Sequence, residues 1–431
     1  MAVDPSNPSA YALLAPWVAR GMVLDLSAMQ EALRASGSPE LRTPCVHVAG
    51  TNGKGSVSAL VSSVLLHAGL RVGTYTSPHL HRFVERIALD GSPVSEALAA
   101  THAEVMRAEV AAQTLPQLTF FEAATLLAWR IFREARVDLA VVEVGLGGRL
   151  DATRLCAPKV TVITRVALDH QAQLGDTPEA IAREKAGVLK AGVPCVLGPG
   201  LGPGAGGPRA VVEAVAREVG APLVDTHHPV HAAGPGRVGF VFADTACEVA
   251  LPLVGSHQRD NLATALTVLE VLRSGGLALS AEAVRAGVEA VRWPARIERV
   301  GRVIFDAAHN PDGTEALVRA LPEALGGDRV GAVVFGASRD KDWPSMMNTL
   351  AEALPGVTWA CTKADMARAE APAHLAAHVG GQVYGSAAEA LDASLEGCGP
   401  VGMVLVCGSI FLVAAARAHL LGIAQEPFVG L

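Results

Sequence analysis

One heptapeptide, Gly50-Thr51-Asn52-Gly53-Lys54-Gly55-Ser56, constrains this chain more than any other segment. An apolar run at 46–49 precedes it, and an apolar-periodic run at 57–68 follows. The first reads as a strand and the second as a helix. A glycine-rich turn between them brings backbone N–H groups and the positive end of a helix dipole to one place, where phosphates bind. The glycines permit the tight turn, Lys54 reaches the β- and γ-phosphates, and Ser56 offers an oxygen to Mg2+. The spacing departs from G-x-x-x-x-G-K-[ST]: two residues separate Gly50 from Gly53, and Gly55 falls between Lys54 and Ser56. The bland alternative is a glycine-rich turn with a solvated lysine. We expect this loop to bind a nucleoside triphosphate, ATP.

The rest of the chain alternates in the same manner. Strands are expected at 71–75, 139–144 and 160–166, with a helix at 120–135; this is the pattern of βαβ units in a mostly parallel sheet. An antiparallel excursion at 238–242 and 247–253 leads into helices at 256–272 and 281–291. Pro294 disfavours helix at Trp293, so a linker is placed at 292–298. The alternation then restarts with strands at 303–306, 330–335, 357–361 and 401–407 and helices at 311–325, 342–354 and 410–421. The fold class is therefore α/β, with a larger domain at 1–291 and a smaller one at 299–431. The segment 198–208 reads as a flexible, peripheral loop.

Composition removes other classes. With 431 residues, 50% of them hydrophobic and 18% charged, the chain has material for two or three buried cores. A net charge of −7 without a basic block excludes a nucleic-acid binder. The start of the chain lacks a basic stretch followed by an apolar run, so no signal peptide is expected. The run at 401–416 is interrupted by Gly408 and Ser409 and is short for a membrane span of roughly 20 residues. Seven scattered cysteines without Cys-x-x-Cys suit reduced thiols in the cytoplasm rather than zinc or disulfides.

Other chemistry-bearing residues gather at strand ends, where ligands bind in open parallel sheets. Glu143 ends a buried strand and is placed to hold Mg2+, or else to pair with a neighbour. Asp169-His170 follows another strand; His170 is read as a metal ligand against the commoner structural histidine. Lys185, on an amphipathic helix, reads by itself as solvated. Asp306-Ala307-Ala308-His309-Asn310-Pro311 closes the second domain's first strand, with Pro311 suited to open a helix. Thr362-Lys363-Ala364-Asp365 mimics a guanine-reading motif but lies in the other domain from the phosphate loop, and is read as a loop.

Together these residues resemble the folylpolyglutamate synthase and dihydrofolate synthase family of the Mur ligase superfamily, from about Leu24 to Arg417. The resemblance rests on GTNGKGS, TSPHLHRFVERI (76–87), TFFE (119–122), VEVGLGGRLDAT (142–153), DH (169–170), REKAGVL (183–189), HQRDNLATAL (257–266), WPARIE (293–298), DAAHNP (306–311), DKDW (340–343) and GSIFLVAAAR (408–417). It implies an ATP- and Mg2+-dependent ligase that joins L-glutamate to dihydropteroate or folates through an acyl phosphate. It also implies a P-loop ATPase-like Mur-ligase central domain followed by a Rossmann-like one. ATP contacts fall on Asn52, Gly53, Lys54, Gly55, Asn261, Trp293, Arg296 and Asp306. Metal ligands fall on Ser56, Glu143, His170 and Lys185, the last at a carbamoylated position. Catalytic positions are Lys54, Lys185, Asp306, His309 and Ser409. Pterin-binding segments are Leu24, Asp25 and Leu26; Thr119, Phe120, Phe121 and Glu122; and Leu150, Asp151 and Ala152. A monomer is expected. Folylpolyglutamate synthase activity alone, another Mur-type ligase, and a non-ligating nucleotide-binding module are the alternatives.

Overall fold

A computed structural model describes residues 8–201 and 206–427. Eight strands form the first sheet: β1 Cys45–Ala49, β2 Val72–Tyr75, β3 Ile87–Leu89, β4 Ser92–Pro93, β5 Leu139–Glu143, β6 Pro158–Arg165, β7 Cys195–Gly200 and β8 Leu223–Asp225. Their order is β4-β3-β2-β5-β1-β6-β7-β8. Only β3 and β4 at one edge run antiparallel to their neighbours. Central β1 is buried throughout, and Val46 pairs with Val141 on one side and Val160 on the other. Such unbroken apolar strands suit a sheet covered on both faces.

Alternation along the strands sorts two cores. Ala140 and Val142 face the helix Phe120–Ala135, with Tyr75 and Trp129. Val141, Val46 and Val48 face the helices Lys54–His67, Ser256–Ser274 and Ala281–Ala290. A small antiparallel sheet, β9 His231–Gly234, β10 Arg237–Phe242 and β11 Thr245–Ala250, covers part of the second core.

A second large sheet holds β12 Glu298–Val300, β13 Val303–Phe305, β14 Val330–Phe335, β15 Thr358–Cys361, β16 Gln382–Val383 and β17 Met403–Cys407, ordered β12-β13-β17-β14-β15-β16. Only β12 is antiparallel to its neighbour. The helices Pro311–Leu325 and Ile410–Leu421 follow strands β13 and β17.

Several expectations change. Glu298, placed in the linker, begins β12. The glycine-rich segment is ordered at both ends, since Gly198–Gly200 belong to β7 and Gly207 opens a helix. Its residues 202–205, like the chain start read for a signal peptide (1–7), lie outside the described residues. The helices Glu96–Ala111, Pro372–Val379 and Ala387–Gly397 were not expected. Thr362–Asp365 is a loop, as read. Among the described residues no helix is long and apolar enough to cross a membrane, and all seven cysteines are free thiols.

Candidate active site

A cavity of about 680 Å³ lies where the carboxyl ends of both sheets converge. The phosphate loop forms one wall. Gly53 has φ +89, and a Cβ there would come within 2.5 Å of Asn261 Oδ1. Gly53 also caps the helix Lys54–His67 without a side-chain bond, which leaves the first N–H groups open toward the cavity. Thr164 Oγ1 donates to the Asn52 carbonyl at 2.7 Å and ties the loop to β6. Lys54 Nζ spans the loop, donating to the Gly50 and Thr51 carbonyls at 3.1 Å each.

Ser56, Glu143, His170 and Lys185, expected as metal ligands, all line this cavity. Glu143 is 5% exposed. Burial pushes its carboxyl up to about 7 despite the opposing charges of Lys54 and Arg296. A buried carboxylate with a hydroxyl for company suits a hard cation, which takes oxygen ligands and keeps much of its shell from phosphate and water. Among the described residues no group of three His, Cys, Asp or Glu side chains is arranged to hold a metal ion by itself. A metal here therefore needs the hydroxyl, the lysine position or the nucleotide as further ligands. Lys185 departs from its residue-level reading: it is 4% exposed rather than solvated. Burial, then repulsion from Lys54, lowers its ammonium to about 7. An amine so easily made neutral can add CO2, losing a proton and becoming an anionic carbamate. His170 is depressed to about 4 by burial and by Lys341.

The opposite wall comes from the second sheet. Asp306 is buried at the end of β13; its Oδ2 accepts from Ile297 N at 2.9 Å and its Oδ1 from Ala308 N at 2.8 Å. It thereby holds both the linker and the turn that carries His309. His309 Nδ1 bonds the Ala307 carbonyl at 2.9 Å, which directs Nε2 to within 3.4 Å of Asp169. Ser409 caps the helix Ile410–Leu421 and lines the cavity.

Asn310, Asp312, Arg165 and Lys341, which had no expected role, bind the walls together with Asn52 and Asp169. Asn52 Nδ2 donates to Asn310 Oδ1 at 3.1 Å and to Asp312 Oδ2 at 2.7 Å, and Asn310 Nδ2 donates to Asp169 Oδ2 at 3.0 Å. Arg165 Nε donates to Asp312 at 2.8 Å. Lys341 Nζ pairs with Asp169. Burial raises the Asp169 carboxyl, but His309, Lys341 and His170 outweigh it and hold the group far below the usual carboxylate range. Lys341 follows the carboxyl edge of β14, so the strand-end rule applied to Glu143 would have found it.

The pterin segments form the third wall: Leu24, Asp25 and Leu26, Thr119 to Glu122, and Leu150 to Ala152 all line the cavity. Thr119 and Glu122 also cap each other, with Glu122 Oε2 accepting from Thr119 N at 2.7 Å. Asn52, Gly53, Gly55, Asn261 and Arg296 line the cavity as well. Trp293 does not. Its ring lies behind the loop, where a Cβ on Gly55 would meet it at 2.7 Å, because the linker turns the indole onto glycine's bare face. Pro199 and Gly200, from the segment read as peripheral, do line it.

Residues 295–410 match the family described as Mur ligase, glutamate ligase domain. The folylpolyglutamate synthase of Lacticaseibacillus casei is 36% identical over 405 residues, covering 90% of this chain and 93% of that one. The dihydrofolate synthase/folylpolyglutamate synthase of Escherichia coli is 36% identical over 434 residues, covering 95% and 96%. A crystal structure of a bifunctional folylpolyglutamate synthase/dihydrofolate synthase with Mn, AMPPNP and L-glutamate bound superposes with a TM-score of 0.81 at 32% identity, over 96% of this chain and 99% of that one.

Proposed function

The chain belongs to the dihydrofolate synthase/folylpolyglutamate synthase family, and on that premise we propose that it joins L-glutamate to dihydropteroate and to folates at the expense of ATP. The observation that carries this reading is the shared cavity lined by the phosphate loop, the three pterin segments, and His309 and Ser409 of the second domain. Three reactants have to meet for this reaction, and three walls meet here.

A carboxylate is a poor acyl donor. Its oxygen attacks the γ-phosphorus of ATP, the bond to the β-phosphate oxygen breaks, and ADP leaves. The glutamate amine then attacks the acyl phosphate, loses a proton, and expels inorganic phosphate. Positioning and charge neutralisation do most of the work in such transfers. Lys54 swings from its loop carbonyls to the β- and γ-phosphates. The N–H groups capped only by Gly53 receive phosphate oxygens. Asn261, against Gly53 of the loop, and Arg296, whose charge reaches Glu143, contact ATP, with Asp306 fixing the linker beside them. Ser56, Glu143, His170 and Lys185, the last as its carbamate, would hold Mg2+, which would supply neutralisation of phosphate charge. His309 and Ser409 orient glutamate from the second domain.

The domain division is 1–291 and 299–431, joined by 292–298, of which Glu298 already belongs to β12. The enzyme acts as a monomer in the cytoplasm. ADP release measured with ATP, glutamate and a panel of dihydropteroate and tetrahydrofolates tests the reading. Release with both substrate classes supports the bifunctional enzyme; release with folates alone leaves a folylpolyglutamate synthase; release without glutamate overturns the ligase.

A further inference from the structure

Asp151, in the third pterin segment, is nearly inaccessible, at 5% exposed, yet it lines the cavity; Glu122 is equally buried but caps its own helix by accepting from Thr119 N. Its Oδ2 accepts from Leu146 N at 2.9 Å. Its Oδ1 accepts from Thr153 N at 3.0 Å and from the Thr153 hydroxyl. Among the described residues no lysine or arginine pairs with it; burial raises its carboxyl, against the Thr153 and Leu146 donors and the nearby His47 ring. A carboxylate offers about four acceptor sites, and these three donors leave one on the cavity side. A buried carboxylate without a cation and with spare acceptor capacity suits an uncharged N–H donor edge, such as the amino-pyrimidinone edge of a pterin.

Behind Asp151 lies a chain of groups that the reaction does not touch. Thr153 is fully buried, and its Oγ1 lies 2.8 Å from Nε2 of His47, also fully buried, on β1. The direction of this chain follows from proton counting. An ionised carboxylate only accepts, so the single hydroxyl proton of Thr153 goes to Asp151. Thr153 Oγ1 must then accept from His47, which fixes the Nε2–H tautomer. His47 Nδ1 is buried as well, and the Cys156 thiol is its hydrogen-bonding neighbour at the ring. A side chain that only filled the core would not need this polarity. An apolar residue in β1 would pack without burying a ring nitrogen.

We propose that His47 and Thr153 are positioning residues for the pterin substrate: the relay from His47 Nε2–H through the Thr153 hydroxyl fixes the rotamer of Asp151, and so sets pterin affinity without touching the pterin. This inference rests on the reading of Leu150 to Ala152 as a pterin segment, and the test separates the two.

Steady-state kinetics are measured with dihydropteroate, ATP and glutamate varied in turn. Thr153→Val keeps shape and removes the hydroxyl. It should raise KM for dihydropteroate about tenfold, the scale of one hydrogen bond to a charged group. KM for ATP and glutamate, and kcat, should stay within about twofold of wild type, a range set by the same scale. Thr153→Ser should restore KM. His47→Leu should act in the same direction, and His47→Gln, whose amide N–H can replace Nε2–H, should recover most of the loss. Should His47→Leu fail to fold, the Val and Ser variants at 153 decide alone. A general structural role would lower the melting temperature and disturb all three KM values together, which overturns the relay. An unchanged dihydropteroate KM in Thr153→Val also overturns it if Asp151→Asn raises that KM. If Asp151→Asn leaves dihydropteroate KM unchanged, the pterin-segment reading falls, and the relay with it.

Discussion

Lys54 and Glu143 bring opposite charges into one cavity, and neither forms an ion pair within it. The ammonium rests on two loop carbonyls, and the carboxyl is driven up to about 7 by burial. Both are arrangements that a triphosphate and its metal would relieve. Lys54→Ala removes the loop's mobile cation and should lower ligation about a hundred- to a thousandfold, with weaker ATP binding, on the scale of losing one donor aimed at developing charge. Normal turnover in that variant would remove the loop from the site. Glu143→Gln keeps the shape and deletes the charge. The Mg2+ concentration for half-maximal activity should rise while the melting temperature stays near wild type; an unchanged Mg2+ dependence would make Glu143 structural.

Elements meet the site through close contacts. Gly55 presents a bare Cα to the Trp293 ring, so Gly55→Ala should push the loop off the linker and weaken ATP binding. Adding Trp293→Leu to that variant should recover part of the loss, because the ring is the obstacle; equal defects in the single and double variants would contradict this. Arg417, on the last helix, pairs with Glu298 of β12 at 2.8 Å and bonds His81 at 2.8 Å. Removing one partner of a largely buried pair should cost about 3 kcal/mol, read as a lower denaturation midpoint of Arg417→Ala. Burial raises the Glu298 carboxyl, but Arg417 and the Ala295 N–H outweigh it and hold it below the ordinary value. Its contribution is therefore complete above the unfolded carboxylate pKa and is lost as pH falls through the lowered one. Acid titration of Glu298→Gln should lack that component. Much at this scale was legible in the sequence. The helices Phe120–Ala135, Pro311–Leu325 and Ile410–Leu421 begin where expected because Thr119, Asn310 and Ser409 cap them with their side chains, and end where expected at left-handed Arg136, Gly326 and Gly422. Glu96–Ala111 and Ala387–Gly397 are alanine-rich, and alanine marks neither face of a helix strongly. The placement of Trp293 behind the loop, and the pairing of Asp169 with Lys341 and of Arg165 with Asp312, are tertiary contacts that no local pattern encodes.

At the scale of the whole molecule, one cavity has walls from both sheets, and a polar seam of Asn52, Asn310, Asp169 and Lys341 joins them. Bringing the walls together excludes water, which protects an acyl phosphate from hydrolysis. His309→Ala leaves the phosphate loop intact. It should bind ATP with near-normal affinity by equilibrium titration and lose amide formation; full ligation would remove His309 from the reaction. The central claim is that the substrate carboxylate is activated by the γ-phosphate in this cavity and then captured by glutamate. Dihydropteroate labelled with ¹⁸O in its carboxylate tests that directly. If the account holds, mass spectrometry will find one labelled oxygen in the inorganic phosphate for each amide bond formed. Unlabelled phosphate accompanying the same amide product would contradict it.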